Sequence, residues 1–186
     1  MKGIVFNLLA QAVEEEFGED TWDTLLDKAG VEGAFTSVGS YADDDLYALV
    51  RVASQALGRE QDDVLRWLGS RAIPMLVSRY PQFFADHTRT LPFLLTLNDV
   101  IHPEVRKLFP GADAPEFEFD QRGADTLALA YVSNRGLCSF AEGLVDGAAA
   151  HFGESVTITQ SECMKKGDAR CVLICTFSPA AVARPA

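Results

Sequence analysis

Residues 126–135 read Thr-Leu-Ala-Leu-Ala-Tyr-Val-Ser-Asn-Arg, an apolar run that ends in polar side chains spaced two apart. The run predicts a buried β-strand, on which alternation would place Tyr131, Ser133 and Arg135 on one face. Two hydroxyl donors beside a guanidinium form a site for carboxylates or phosphate, because arginine can bind either group through two hydrogen bonds. Taken alone, the same residues also suit the end of a strand with a solvated arginine.

Outward from this strand, the hydrophobic pattern divides the chain into a helical part and a part rich in strands. Apolar residues recur at helical spacing over residues 2–17, 20–28, 43–57, 62–79 (with Pro74 as a bend), 91–97, 102–109 and 138–152. Strands are predicted at 116–119, 126–133, 155–162 and 170–177, the last two forming a hairpin. An N-terminal helical part followed by a four-stranded antiparallel sheet with one inserted helix predicts an α+β fold.

The composition excludes several classes of function. The chain has 186 residues, enough for one buried core, and a formal net charge of -11 at pH 7. This acidic balance argues against nucleic acid as a partner, since binding to it needs a basic surface. No apolar stretch approaches the roughly 18–20 residues of a membrane span, and the N-terminus does not resemble a signal peptide. We therefore expect a cytoplasmic protein whose four cysteines are thiols or metal ligands.

Three segments together resemble a known family. The chain opens with Met1-Lys-Gly-Ile-Val-Phe-Asn-Leu-Leu9, continues through Ile101-His-Pro-Glu-Val-Arg-Lys-Leu-Phe-Pro-Gly-Ala112 with Pro115 soon after, and then reaches Tyr131-Val-Ser-Asn-Arg135. In this order and spacing they resemble the haem nitric oxide/oxygen-binding (H-NOX) family, in particular its stand-alone bacterial members, which are related to the haem domain of soluble guanylate cyclase. The likeness implies a single domain over residues 1–177. Haem would lie between a distal helical part at about 1–60 and a proximal part at about 61–177, and residues 178–186 have the composition of a disordered tail.

The resemblance implies non-covalent haem b and assigns residues to it. His102 would ligate the iron. Tyr131, Ser133 and Arg135 would bind the two propionates, in agreement with the donor chemistry of that motif, and Pro115 would pack on the porphyrin and help to keep it bent. No covalent attachment is expected, because the chain lacks a Cys-x-x-Cys-His motif.

The other face of the haem would select the gas. H-NOX proteins that bind O2 carry a distal tyrosine on the helix after the Tyr-x-Ser-x-Arg motif, and the matching residue here is Phe140. The other expected pocket residues also lack a side-chain donor: Val5, Leu9, Pro74 and Leu144. Bound O2 needs such a donor and NO does not, so the sequence predicts that the protein binds NO and excludes O2. Some of these side chains could equally be ordinary core.

A cysteine cluster is the second feature with metal chemistry. Cys138, Cys163 and Cys171 resemble a structural zinc site of some bacterial H-NOX proteins, built from three cysteines and one histidine. Zinc takes four ligands, but the expected histidine is Gln160 in this chain. Cys175 is therefore considered as the fourth ligand, with buried free thiols or a thiol redox switch as the alternatives.

These features predict a haem-based NO sensor and not an enzyme. The chain contains no glycine-rich phosphate loop, nucleophile elbow or His-Glu-x-x-His motif. The resemblance implies that NO weakens the bond between iron and His102 and that a separate partner, a histidine kinase or a cyclic-di-GMP enzyme, reads the change. The competing predictions are an O2-binding haem sensor and a thiol or zinc redox sensor.

Overall fold

The computed structural model describes residues 1–180 and has the predicted α+β architecture. Its helices are α1 (Gly3–Phe17), α2 (Glu19–Ala29), α3 (Asp43–Leu57), α4 (Gln61–Arg79), α5 (Thr90–Leu95), α6 (His102–Leu108) and α7 (Cys138–His151). A π-helix at Leu97–Ile101 leads directly into α6. The strands are β1 (Phe117–Gln121), β2 (Thr126–Tyr131), β3 (Glu154–Glu162) and β4 (Cys171–Pro179).

The four strands form one antiparallel sheet in the order β1-β2-β4-β3. The central strand β2 is buried on both faces, since its alternate side chains enter two different clusters. Leu127, Leu129 and Tyr131 join the main core beneath α7, whereas Ala128 and Ala130 lie on the other face. The hydrophobic residues of β2 thus fix the sheet at its centre and bring Tyr131 to the inner face.

Two hydrophobic cores meet along α4. The first is formed by the helical part and includes the fully buried Phe6, Leu49 and Leu68. The second lies between the sheet, α5 and α7 and includes Ile73 of α4 and Leu129. Because α4 contributes to both cores, the boundary predicted near residue 60 falls just before a helix that the two parts share.

Helices α4 and α7 approach each other very closely because glycines stand at the contact. A Cβ atom added to Gly143 would lie 2.0 Å from the carbonyl oxygen of Arg66, and one added to Gly69 would lie 2.3 Å from that of Phe140. These distances are far below van der Waals contact, so any side chain at either position would force the helices apart.

Most predicted elements are confirmed, and the differences lie at their ends. Strand β2 stops at Tyr131 instead of residue 133, and α5 stops at Leu95, where the π-helix takes over. Ser178 and Pro179 were predicted to lie in a disordered tail but belong to β4, where they pair with β3. Proline is tolerated there because the end of a strand can lack a backbone donor. The rest of the predicted tail, from residue 181 onward, lies outside the described residues.

Among the helices of residues 1–180, none is both long and apolar enough to cross a membrane.

Candidate functional site

A cavity of about 360 Å³ lies where the helical part meets the sheet. This volume falls in the range of pockets that bind small molecules and cofactors. Its walls are mostly aliphatic and aromatic side chains from α1, α4, α6 and α7, together with Leu129 of the sheet. The polar side chains that line it include those of His102, Tyr131, Ser133 and Arg135, so the structure brings the predicted iron ligand and the predicted propionate motif into one cavity.

His102 is the first residue of α6 and its imidazole lines the cavity. Burial lowers the pKa of His102, and the backbone of Pro115 nearby offsets this only in part. The ring is therefore neutral at pH 7. Its Nδ1 atom is buried and forms no hydrogen bond with any described residue. A neutral imidazole without a protein partner has the lone pair that a metal requires.

The π-helix that precedes His102 is tied to the sheet by Asn98. The Nδ2 atom of Asn98 donates to the carbonyl of Phe117 at 2.6 Å, and the amide of Phe117 donates back to its Oδ1 at 3.1 Å. The ring of Phe117 in turn packs against His102 with centroids 5.7 Å apart. Asn98 thus positions the strand on which the imidazole rests. The sequence does not predict this role, because an isolated asparagine carries no signal of the contact.

The Tyr-x-Ser-x-Arg motif reaches the cavity by a different route from the one predicted. Because β2 ends at Tyr131, strand alternation does not place all three side chains on one face, and that part of the prediction is wrong. Ser133 and Arg135 lie in a turn closed by Gly136 at φ 59°, where Ser133 Oγ accepts from the Arg135 amide at 3.3 Å. The turn folds the chain back, so all three side chains still line the same cavity.

Arg135 connects the two parts of the molecule. Its Nε donates to Asp43 Oδ2 at 2.8 Å, on α3, and its Nη1 lies 3.0 Å from Asp113 Oδ2, in the loop before β1. Burial alone would raise the pKa of Asp43, but hydrogen bonds from the Met1 ammonium and from Arg135 outweigh it, and the pKa is lowered. Tyr47 of α3 also donates to the carbonyl of Arg135 at 2.6 Å. Among residues 1–180, no group bonds to Nη2 of Arg135.

Tyr131 is almost fully buried beside Ser133. Burial raises the pKa of Tyr131, so its hydroxyl stays protonated at neutral pH and can donate a hydrogen bond. Together with Ser133 and the free side of Arg135, it offers donors and positive charge to an anionic group.

Three of the five predicted distal-pocket residues line the cavity, and two do not. Val5, Phe140 and Leu144 line it, whereas Leu9 is buried in the helical core and Pro74 is exposed on α4. Pro74 lies about 100° around the helix from its neighbour Ile73, which does line the cavity. Residue type suggested these two positions, but helix orientation excludes them.

Tyr80 is a cavity residue that the sequence analysis did not anticipate. It follows α4 and lines the cavity, and its ring meets the edge of Phe109 at 6.3 Å between centroids. Phe109 directly follows α6, so Tyr80 lies beside the helix that carries His102. The residues that line the cavity therefore include a tyrosine that the sequence did not predict. Pro115, also predicted for this site, lines the cavity too.

The cysteines form a cluster of three, not four. The sulfur atoms of Cys138, Cys163 and Cys171 all lie within 4.8 Å of one another, and the three side chains are buried. Cys175 does not belong to the group, because four residues along a strand span about 13 Å. The prediction of Cys175 as a fourth zinc ligand is therefore wrong.

Gln160 occupies the face of the sheet on which the cysteine cluster lies. It pairs with Leu173, which shares its face of β4 with Cys171. The Nε2 atom of Gln160 is buried and has no hydrogen-bond partner among the described residues. Three thiols supply only three of the four ligands that zinc takes, so the described residues do not form a complete zinc site.

Comparison with known proteins agrees with this geometry. The family model described as "Haem-NO-binding" matches residues 2–160. The chain is 26% identical over 155 residues to soluble guanylate cyclase gcy-32 of Caenorhabditis elegans, with 80% of this chain and 23% of the cyclase covered. It therefore spans about a quarter of the length of that relative.

Solved structures of similar proteins cover nearly all of both chains. An H-NOX protein from S. oneidensis in the Fe(II)NO ligation state is 33% identical, with a TM-score of 0.90 and coverage of 96% of this chain and 99% of that one. The unliganded Fe(II) H-NOX protein from K. algicida is 26% identical, with a TM-score of 0.86 and coverage of 99% and 100%. The fold, the family model and these likenesses agree, and the chain belongs to the haem-NO-binding (H-NOX) family of haem-based gas-sensor domains.

Proposed function

We propose that this protein is a haem-based sensor that binds NO at ferrous haem and excludes O2. The observation that supports it most strongly is that His102, Tyr131, Ser133 and Arg135 line a single, otherwise apolar cavity. Haem b, when bound, would supply an iron centre that takes a diatomic gas. The residues present fit that group, since the His102 imidazole is neutral and its Nδ1 has no hydrogen-bond partner among residues 1–180, and the motif residues offer donors to carboxylates.

The motif residues would hold and orient the haem. Tyr131 and Ser133 would donate to the propionates, and the Nη2 side of Arg135 would add positive charge. Pro115 would contact the porphyrin. Because Arg135 is already held by Asp43 and Asp113, it is fixed in place before the haem arrives, which lowers the entropic cost of binding.

The cavity wall would select NO over O2. Phe140 and Leu144 of α7 and Val5 of α1 contribute only hydrocarbon to it. A diatomic that gains negative charge on binding would find no donor among these three side chains, and burial without a hydrogen bond is costly. NO does not need such a donor. An O2-binding sensor is therefore the less favoured reading.

His102 would pass the binding event to the rest of the protein. It joins the π-helix to α6, so release of its imidazole would free both segments at once. π-Helical segments are rare and often occur at functional sites. The exposed Val100 and Leu108 on these segments would then change position at the surface. We propose that a separate partner protein, a histidine kinase or a cyclic-di-GMP enzyme in the cytoplasm, reads that change.

The decisive experiment is visible absorption spectroscopy of the purified protein, reduced without oxygen and then divided between air and NO. We expect a haem spectrum that does not change on first exposure to air and shifts completely with NO. A stable oxy spectrum would contradict the assignment of the distal wall. If the protein takes up no haem from an ample supply, the proposal is wrong.

A thiol redox sensor is the second candidate, because three thiols lie within 4.8 Å of one another. Two of them could lose two electrons and two protons to a peroxide and form a disulfide, reducing the peroxide to water. Burial, however, raises the pKa of Cys171 to about 12, which leaves it protonated and unreactive. Thiol titration before and after peroxide, together with metal analysis, tests this candidate. Loss of two thiols without change in the haem spectrum would favour it.

A further inference from the structure

The charged groups that line the cavity are not equally neutralised. Arg135 is paired with two carboxylates, those of Asp43 and Asp113. Lys2 also lines the cavity, but its Nζ bonds only to neutral acceptors, the Val38 carbonyl at 3.1 Å and Ser40 Oγ at 2.8 Å. Among residues 1–180, no carboxylate lies within ion-pair distance of Lys2. It is thus a cavity-lining cation whose charge remains uncompensated.

The position of Lys2 is fixed by the backbone around it. Lys2 forms an antiparallel bridge with Ser40, and the amide of Tyr41 donates to the Met1 carbonyl at 2.9 Å. These contacts hold the lysine backbone in place, and the two bonds from Nζ hold the ammonium. A long side chain that is already ordered loses little entropy when it binds a ligand.

The ammonium of Lys2 also faces the loop that leads to Pro115. A Cβ added to Gly111 of that loop would lie 3.8 Å from Nζ. Asp113 and Pro115 follow in the same loop, and both line the cavity. Lys2 therefore stands at the junction between the helical part and the loop that carries Asp113, which pairs with Arg135.

A ligand with two carboxylates needs more positive charge than Arg135 alone offers here. The charges of Arg135 and of the Met1 ammonium, which also bonds to Asp43, are already matched by the carboxylates of Asp43 and Asp113, so each further anion that enters would lack a cation. Burying an unpaired carboxylate is costly, whereas a charge-assisted hydrogen bond to an ammonium is favourable.

We propose that Lys2 is a second cationic contact for the haem carboxylates, beyond the Tyr-x-Ser-x-Arg motif. This inference rests on the proposed function and adds a residue to its binding site. Lys2 would contact one propionate at the junction and so link the ligand to the helical part as well as to the sheet.

The test compares haem loss from Lys2→Met, Lys2→Arg and the wild-type protein, with Lys28→Met on the exposed end of α2 as the matched control. Methionine keeps most of the side-chain length and removes the charge. Each protein is reconstituted with haem and, separately, with haem dimethyl ester, in which both carboxylates are blocked. The rate of transfer to excess apomyoglobin is then followed by visible absorption.

With haem, we expect Lys2→Met to lose haem about three- to tenfold faster than wild type. Lys2→Arg and Lys28→Met should lose haem at a rate close to that of wild type. With the dimethyl ester, the ratio of the transfer rates of Lys2→Met and wild type should fall to about one, since no free carboxylate is left for Lys2 to contact. If Lys2→Met speeds the loss of haem and of its dimethyl ester by the same factor, the inference is overturned, because Lys2 would then only stabilise residues 38–40. An unchanged rate with haem would overturn it as well. If wild-type protein takes up neither haem, the proposed function itself fails.

Discussion

Replacing Gly143 with alanine should push α4 and α7 apart. The added Cβ would lie 2.0 Å from the Arg66 carbonyl oxygen and 2.8 Å from its carbonyl carbon. Both atoms belong to the backbone of α4, so no change of side-chain rotamer can relieve the overlap. Gly147, one turn further along α7, would meet the Ser70 carbonyl oxygen at 2.7 Å, so the helices are close along the whole contact.

Two opposing contributions, overpacking and helix propensity, set the change in the free energy of unfolding. Restoring an ordinary carbon–oxygen contact of about 3.3 Å requires the helices to separate by roughly 1 Å. Overpacking of this kind costs about 1–3 kcal/mol, and a backbone contact belongs at the upper end. Alanine recovers about 1 kcal/mol of helix propensity over glycine. We therefore expect a net loss of about 2 kcal/mol in the free energy of unfolding.

Urea unfolding at neutral pH, followed by circular dichroism, measures this loss. Ala150→Gly, on the exposed side of the last turn of α7, is the control: it should cost no more than the roughly 1 kcal/mol by which glycine disfavours a helix interior. Because Leu76 of α4 and Leu144 of α7 both line the cavity, Gly143→Ala should also alter the visible spectrum of the loaded protein, and Ala150→Gly should not. A Gly143→Ala protein as stable as wild type would refute the reasoning on helix contact.

Three further predictions concern the distal wall, the Arg135 network and the cysteine cluster. Phe140→Tyr should permit O2 binding or slow O2 dissociation, measured by stopped-flow absorption, whereas Tyr80→Phe should behave like wild type in air; unchanged behaviour of Phe140→Tyr would exclude Phe140 from the gas site. Asp43→Asn should lower stability by about 1 kcal/mol at pH 7. Because the folded-state pKa of Asp43 is lowered, this contribution is present above its ordinary value of about 3.9 and is lost as the pH falls through the folded value. The difference in stability between Asp43→Asn and wild type should therefore shrink as the pH falls below about 4, and a difference independent of pH would show that the charge of Asp43 is not responsible. Gln160→His should raise zinc content toward one ion per chain by metal analysis, since it would supply a fourth ligand; zinc equal to that of wild type would show that residue 160 does not reach the cluster.

The sequence by itself determined the order and type of the secondary-structure elements. Helical spacing of apolar residues and terminal glycines predicted α1 to α4 and α7, because both signals act within one or two turns of chain. The apolar run at 126–131 and the alternating runs on either side of Lys165–Asp168 predicted the sheet for the same reason. The chemistry of Tyr131, Ser133 and Arg135 could also be inferred, since donors and charge are properties of the residues.

Only the tertiary structure decided which residues meet. Helix rotation excluded Leu9 and Pro74 from the cavity, the path of the chain after α4 brought Tyr80 to it, and the length of β4 separated Cys175 from the other cysteines. Lys2 and Arg135 are 133 positions apart in the chain and yet line one cavity. Which residues line the same cavity depends on the packing of distant segments, and that packing is set by close contacts such as the one at Gly143. Periodicity along the chain carries no information about them.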